Sequence, residues 1–452
     1  MTSPNRHSIS IAIIGGGPGG LGTAIALSAL PFVTVTLYEQ APEPREVGAG
    51  ISIGRNAWNV LNLLGAAEGV RGGKLGTSWQ RNGRTGEVVH TDANLVDSTL
   101  RDEGKQKQAE TEDEARFASI RARRTRLQAA LLEKVPQGTI KFGKKLVEIR
   151  DLGEGQGVKL RFKDGTETRV DFVVGADGIR SIVRRTIFPD HRLHVTGNTA
   201  FRVLISLSSI AHVKDFPAEN GWWHGINGHI YFAPVDDESE IQNKDEPRLF
   251  EITVRSYNEP ISPDRTATWA IPVTNEKVLA RTAEYDPRIQ SVLRAVPEGS
   301  WREFAMVAGP CLAEITAWDK VALIGDASHP LSGAFGSGAA FAMEDGWILA
   351  RALESEYLRN GNRDITATVR NGLQIFQAIR GPYYERMYDF LASREKHSRG
   401  TRKEGDADFE SIIKARVAGL GFVAGGKMNW IYKNDIEQVW KEYVAAEQAA
   451  RL

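Results

Sequence analysis

The apolar positions of the chain change period within its first forty residues. SISIAIIGG (8–16) is a short, nearly unbroken apolar run that ends in glycine, and LGTAIALSAL (21–30) is an Ala/Leu-rich helical run. FVTVTLYEQ (32–40) then alternates β-branched with polar residues. Strand, helix and strand in that order predict a βαβ unit. Helical spacing returns in NAWNVLNLLG (56–65) and RRTRLQAALLEKV (123–135). TIKFGKKLVEIR, GVKLRFKDGTE and TRVDFVVGAD, between residues 139 and 177, read as a strand meander with a Lys-Asp-Gly hairpin. From about residue 190 to 305 the segments are β-type, GHIYFAPV, RLFEITVRSY and TATWAIPV among them, which predicts an inserted antiparallel sheet. KVALIGDASHP (320–330) restores a buried strand, and GSGAAFAMEDGWILARALE (336–354) is a strong helix with a glycine start. The expected fold is α/β. A Rossmann-like nucleotide-binding domain spans 1–190, an antiparallel-sheet substrate domain 191–305, the returning first domain 306–395 with its long helix, and a helical C-terminal region 396–452.

Composition narrows the function classes. In 452 residues, 57 Lys and Arg balance 57 Asp and Glu, so no long-range attraction to nucleic acid or an anionic membrane is expected. A small organic substrate fits better. The single cysteine, Cys311, excludes an internal disulfide and any multi-cysteine zinc site. The apolar start is only about six residues long and runs into glycines, so it reads as a strand and not as a signal sequence. No apolar run approaches the roughly 20 residues of a membrane helix. A cytoplasmic monomer or homodimer is the resulting expectation.

Gly15, Gly17 and Gly20 have G-x-G-x-x-G spacing between the first strand and first helix. Such glycines permit a tight turn and let backbone N–H groups approach a pyrophosphate at the positive helix end. Glu39 closes the second strand, placed to accept hydrogen bonds from a ribose diol, and would repel a 2′-phosphate. This points to FAD or NAD without choosing between them. Asp177 and Asp326 each follow a buried strand and sit at its carboxyl end. Two such carboxylates exceed what one NAD explains, whereas the ribityl chain of FAD carries hydroxyls that Asp326 can hold. Gly336, Gly338 and Ala339 begin a helix whose N-terminus would stabilise negative charge on a reduced flavin by about 0.3–1 kcal/mol. The plain alternative for Asp177 is a tight Asp-Gly turn.

Taken together, the glycine motif, REVGAGISIGRNAWNVLNLLG, RRTRLQAALL, GADGIRSIVRR and GDASHP with GSGAAFAMEDG resemble the single-component flavin aromatic hydroxylases of the para-hydroxybenzoate hydroxylase fold. WIYKNDIEQVW, near the end, resembles a tail motif of the salicylate hydroxylase-like branch. The resemblance implies an FAD monooxygenase in which a flavin C4a-hydroperoxide hydroxylates a small phenolic substrate with O2 and NADH or NADPH. It implies that Asp177 serves both FAD and the nicotinamide donor. It places Arg45, the following turn with Ala49 and Gly50, and Arg124 against the cofactor, and Arg202 near the flavin face and the substrate. Surface arginines are the bland reading of all three cations. The chain departs from the family at Gly333, where a proline is usual in the loop walling the substrate side. Trp222, Trp223, His224 and Tyr231 could line an aromatic pocket, His224 or Tyr231 engaging a phenol or carboxylate, or could be ordinary sheet packing. No metalloprotease, paired-cysteine or nucleophile-elbow motif occurs. The competing functions are a flavoprotein epoxidase, halogenase or dehydrogenase, and a non-catalytic nucleotide-binding regulator.

Overall fold

The computed structural model describes residues 8–44, 50–92, 118–237, 247–257, 270–361, 364–401, 409–424 and 428–450. A six-stranded sheet forms the nucleotide-binding half, in the order 316–317, 321–323, 172–175, 9–14, 33–38, 140–141. Its neighbours run parallel except at the 316–317 edge. The strands Ile9–Ile14, Phe172–Gly175 and Val321–Leu323 are almost wholly buried, as both-face-covered parallel strands must be. Ser10 fixes their register, donating both its N–H (2.8 Å) and its hydroxyl (2.6 Å) to the Asp171 carboxylate. The turns after these strands, at Gly15, Ala176 and Ile324, therefore share one carboxyl edge, where open α/β sheets take ligands.

Two helices cover one face of this sheet, Pro18–Ser28 and Gly338–Arg359. They cross so closely that a Cβ at Gly346 would lie 2.0 Å from Thr23 Oγ1. Below them Arg380, from the long helix Ile365–Thr401, sits between Asp345 (2.7 Å) and Glu344 (3.2 Å), all three fully buried. One guanidinium thus serves two carboxylates. Burial pushes Glu344 up to about 7. Asp345 is equally buried, but Arg380 and His329 hold it at about 2. Because the folded value of Glu344 lies above its ordinary 4.5, its ionisation costs stability as pH rises from there toward 7. Glu344→Gln is expected to be nearly neutral at pH 5 and to stabilise by about 1–2 kcal/mol at pH 8. Thermal midpoints at the two pH values check this, and an equal shift at both would contradict it.

The inserted sheet has eight strands, in the order 271–272, 302–308, 194–206, 249–256, 228–234, 221–225, 78–82, 88–92. Two of them come from residues 78–92, and 78–82 runs parallel to 221–225, so the sheet is neither wholly antiparallel nor confined to 191–305 as the sequence suggested. Strand alternation sends Phe201, Val203, Trp223, Ile230, Phe232, Phe250, Ile252 and Val254 to one face, packed on helices Asn275–Arg281 and Pro287–Arg294. The opposite face carries Arg202, His224, Tyr231, Glu251, Thr253 and Arg255. The C-terminal residues that are described form helices, including Asn429–Tyr432 and Ile436–Ala449. No described helix is long and apolar enough to cross a membrane.

Candidate active site

The glycine turn lies directly on the Asp177 loop. Gly15 has φ +111°, and a Cβ there would lie 2.4 Å from the carbonyl oxygen of Ala176. Gly20 is as confined, its virtual Cβ 1.9 Å from the Gly15 carbonyl, whereas Gly17 has open space around it. Gly17 is also the N-cap of the first helix, which has no side-chain cap and no acid in its first turn. The helix Gly338–Arg359 likewise starts from Ser337 without a side-chain cap or first-turn acid. Ser181, Thr274, Asp286 and Asp435 accept N–H bonds at four other helix starts, whereas the helices Arg55–Leu63 and Arg124–Lys134 also begin without a side-chain cap. The two bare helix ends at the shared edge leave N–H donors and positive dipole ends for an anionic ligand.

Glu39 supports the turn itself. Its two carboxylate oxygens accept from the Gly16 (2.6 Å) and Ala41 (2.7 Å) N–H groups. Asp177 behaves in a related way: Oδ2 accepts from Ile182 N (2.7 Å) and Val183 N (3.3 Å), capping its own helix, while Oδ1 is buried without a hydrogen bond among the described residues. Burial pushes its carboxyl up. The tight-turn role read in the sequence is therefore present, with one oxygen left over.

Asp326 differs. It is exposed while its neighbours Ile324, Gly325 and Ala327 are buried, and its Oδ1 lies 3.9 Å from where a Cβ on Gly338 would be. Two buried groups hold its turn in place. Arg184 donates to the carbonyls of Asp326 and Ala327 (2.9 Å each) and also to that of Ile179, tying the two aspartate loops together. Asp345 accepts from the Gly325 N–H at 2.9 Å and from His329 at 3.3 Å. His329 itself is stacked on Tyr384 at 3.8 Å. Gly336 (φ +67°) and Gly338 are exposed, and Ala339 is half-buried, at the open end of the helix. Gly333 has φ +66°, a value that proline, fixed near −65°, cannot take, so the departure from the family is built into the backbone.

Arg124 is exposed at the start of its helix, while the flanking Arg123 and Arg126 pair with Asp236. Arg45 and Ala49 lie outside the described residues. Gly50, at the start of the strand Gly50–Ile53, meets the second sheet: a Cβ there would lie 2.1 Å from Glu251 Oε2, and its carbonyl accepts from Arg202 at 3.3 Å. Glu251 is fully buried between Arg121 Nε (2.6 Å) and Arg202 Nη2 (3.0 Å) and accepts from the Thr253 hydroxyl (3.1 Å). Burial alone would raise this carboxyl, but the two arginines hold it at about 2. Tyr231 lies under the Arg121 guanidinium at 5.3 Å, and burial pushes its hydroxyl up to about 12.

Of the aromatic-rich stretch, Trp223 turns into the core on the far face and lines no pocket with Trp222 and Tyr231. His224 is buried with Nε2 2.7 Å from Gln80 Oε1, and burial pushes it down to about 3, which makes it neutral at physiological pH and a weak base. Sequence reading passed over Arg121, Glu251, Arg184 and Asp345. For Glu251 a signal existed: in RLFEITVRSY the polar Glu251, Thr253 and Arg255 alternate with Phe250, Ile252 and Val254.

Residues 8–371 match a family model described as an FAD binding domain. Salicylate hydroxylase of Pseudomonas putida is 27% identical over 459 residues, covering 96% of this chain and 94% of that protein. The 3-hydroxybenzoate 6-hydroxylase of Polaromonas naphthalenivorans is 28% identical over 370 residues, 78% of this chain and 80% of the relative. A solved salicylate hydroxylase substrate complex has the same fold, with a TM-score of 0.70 at 22% identity over 96% of this chain and 98% of that one. With three strand-end loops gathered beside two uncapped helices and the family model spanning most of its length, the chain belongs to the FAD-binding domain family, among the single-component flavin-dependent aromatic monooxygenases.

Proposed function

We propose that the protein hydroxylates a small, salicylate-like phenol with NADH or NADPH as electron donor, using FAD bound along the shared carboxyl edge. The observation that carries this reading is the junction at Gly50, the turn that the resemblance sets against the cofactor: it abuts a sheet face bearing Arg202, Glu251, Thr253 and Tyr231, which Arg121 reaches from the strand Ile120–Arg123. The residues present fit FAD. Open space at Gly17 suits a pyrophosphate, and the exposed Asp326 suits ribityl hydroxyls. The bare helix start at Gly338 suits an electron-rich ring edge. When bound, the flavin supplies the redox chemistry that activates O2.

The chain's own residues then have distinct tasks. Arg121 and Arg202 outnumber Glu251, so the sheet face keeps a net positive charge toward a phenolate or carboxylate. Glu251 holds the guanidinium groups in place, and being ionised it does not act as a proton donor near neutral pH. Arg184 and Asp345 keep Asp326 aimed at the edge. Asp177, with its spare oxygen, is the proposed contact for the nicotinamide donor. With a substrate hydroxylated at the carboxylate-bearing carbon, CO2 would leave.

The test is a panel of salicylate, 3-hydroxybenzoate and related phenols, scored for stimulated NADH and NADPH oxidation with hydrogen peroxide measured in parallel. A true substrate should raise oxidation at least tenfold over its absence and incorporate one atom of labelled O2 into product. Label-free product, or peroxide accounting for all the NAD(P)H used with every phenol, would remove the hydroxylase reading.

A further inference from the structure

The tail WIYKNDIEQVW reaches across the molecule to the loop between Leu331 and Ser337. The Tyr432 hydroxyl donates to the carbonyl of Phe335 at 3.1 Å, from 97 positions away in the chain. We propose that Tyr432 is a positioning residue: by holding Phe335 it sets the 331–337 loop as the wall between the flavin edge and the substrate face. This rests on the function proposed above.

The loop needs such a hold. Ser332 (φ +55°), Gly333 (φ +66°) and Gly336 (φ +67°) are all left-handed, and for the serine that conformation is strained unless its surroundings impose it. The loop's own backbone bonds are short-range, Leu331 N to His329 O, Ala334 N to Leu331 O and Gly336 N to Gly333 O at 3.4 Å. They shape a turn, and where it sits is left to the buried Leu331 and Phe335 side chains and to the Tyr432 bond. One end leads into the open helix start beside Asp326, and at Gly333 a Cβ would lie 3.9 Å from the Arg255 guanidinium on the sheet face. A shift of the loop therefore changes the spacing between cofactor edge and substrate face.

Tyr432 can set that spacing because its own seat is firm. Met428 and Ile431 are buried in one cluster with Leu331, Phe335, Phe341, Tyr384 and Met387. Trp430 packs on Tyr383 (5.4 Å) under the Arg386 guanidinium (4.1 Å), and the Asn434 carbonyl accepts from Asn59 at 3.1 Å. The tail is thus fixed to the long helix on one side and to the helix Arg55–Leu63 on the other.

The experiment uses the FAD-loaded full chain and compares Tyr432→Phe with wild type by hydrogen exchange and by the visible circular dichroism of the flavin. Tyr383→Phe is the control, since its hydroxyl in the same cluster makes no hydrogen bond among the described residues. Exchange across 331–337 should accelerate about fivefold in Tyr432→Phe, the factor that a lost bond of about 1 kcal/mol gives. Flavin content and thermal midpoint should hold, while the flavin dichroism changes shape. With salicylate or 3-hydroxybenzoate, if either stimulates turnover, peroxide per NAD(P)H should at least double. The control should change none of these. Unchanged exchange and dichroism would overturn the proposal, and so would faster exchange throughout the protein with a lowered midpoint, the mark of a general staple. Should neither phenol stimulate the wild type, the substrate reading falls, while exchange and dichroism still decide the role of Tyr432.

Discussion

Gly15→Ala is expected to leave the protein almost free of flavin after desalting, with FAD bound at least 100-fold more weakly. Two penalties combine. At φ +111° an alanine is strained by about 1–3 kcal/mol. Its Cβ would also meet the Ala176 carbonyl at 2.4 Å, a distance that real contacts do not reach. That carbonyl cannot yield easily, because Ala176 N bonds Ile14 O at 2.8 Å and the strand before it pairs on both sides. The turn must therefore move away from the Asp177 loop, opening the groove in which the pyrophosphate would lie. Gly17→Ala is the informative partner variant. Its φ of −74° suits alanine and no atom lies within 4 Å, so the apoprotein should keep its thermal midpoint while FAD affinity falls. Absorbance at the flavin band relative to protein, with the apoprotein midpoint, checks both. A Gly15→Ala protein with wild-type flavin content would mean that the turn does not cradle the cofactor.

The parts of this site that were legible in the sequence are local ones. A buried strand followed by a glycine turn and a helix fixes within about ten residues where backbone donors and a strand-end acid must sit, so Gly15, Gly17, Gly20, Asp177, Asp326, Gly336 and Gly338 could be read before their convergence was visible. What side chains do with their atoms was less legible. Glu39 spends both oxygens on N–H groups of its own turns, and Asp177 spends one oxygen on its helix, because a nearby backbone donor competes with any ligand. Facing was misread where alternation was not applied: Trp222 and Trp223, placed together in one pocket, are adjacent in a strand and so point to opposite sides of the sheet. Glu251 was hidden for another reason. Alternation in RLFEITVRSY puts it on the polar face with Thr253, but its ion-pair partners are remote, Arg202 lying 49 positions away and Arg121 130. The same holds for the tail, whose motif was recognisable while its contact with Phe335 depends on the packing of four separate segments.

Glu251→Gln is the second change expected to have a large effect, about 3–5 kcal/mol of lost stability at neutral pH, because removing one partner of a buried ion pair leaves its cations uncompensated. Here two guanidinium groups would remain, those of Arg121 and Arg202, facing each other across a neutral amide. The pH dependence identifies the cause. The folded carboxyl titrates at about 2 against an ordinary 4.5, so its contribution is complete above about 4.5 and is lost as pH falls through the folded value. The gap between wild type and variant should hold from pH 8 to pH 5 and then narrow steadily toward pH 3. Steric disturbance of Gly50 by the amide, the competing explanation, would give a gap that does not depend on pH. Denaturation midpoints of both proteins at pH 7, 5 and 3 separate the two, and a constant difference would show that the charge of Glu251 contributes nothing. Combining Glu251→Gln with Arg121→Met should then be less damaging than Glu251→Gln alone, since one uncompensated guanidinium, that of Arg202, is left beside the amide in place of two.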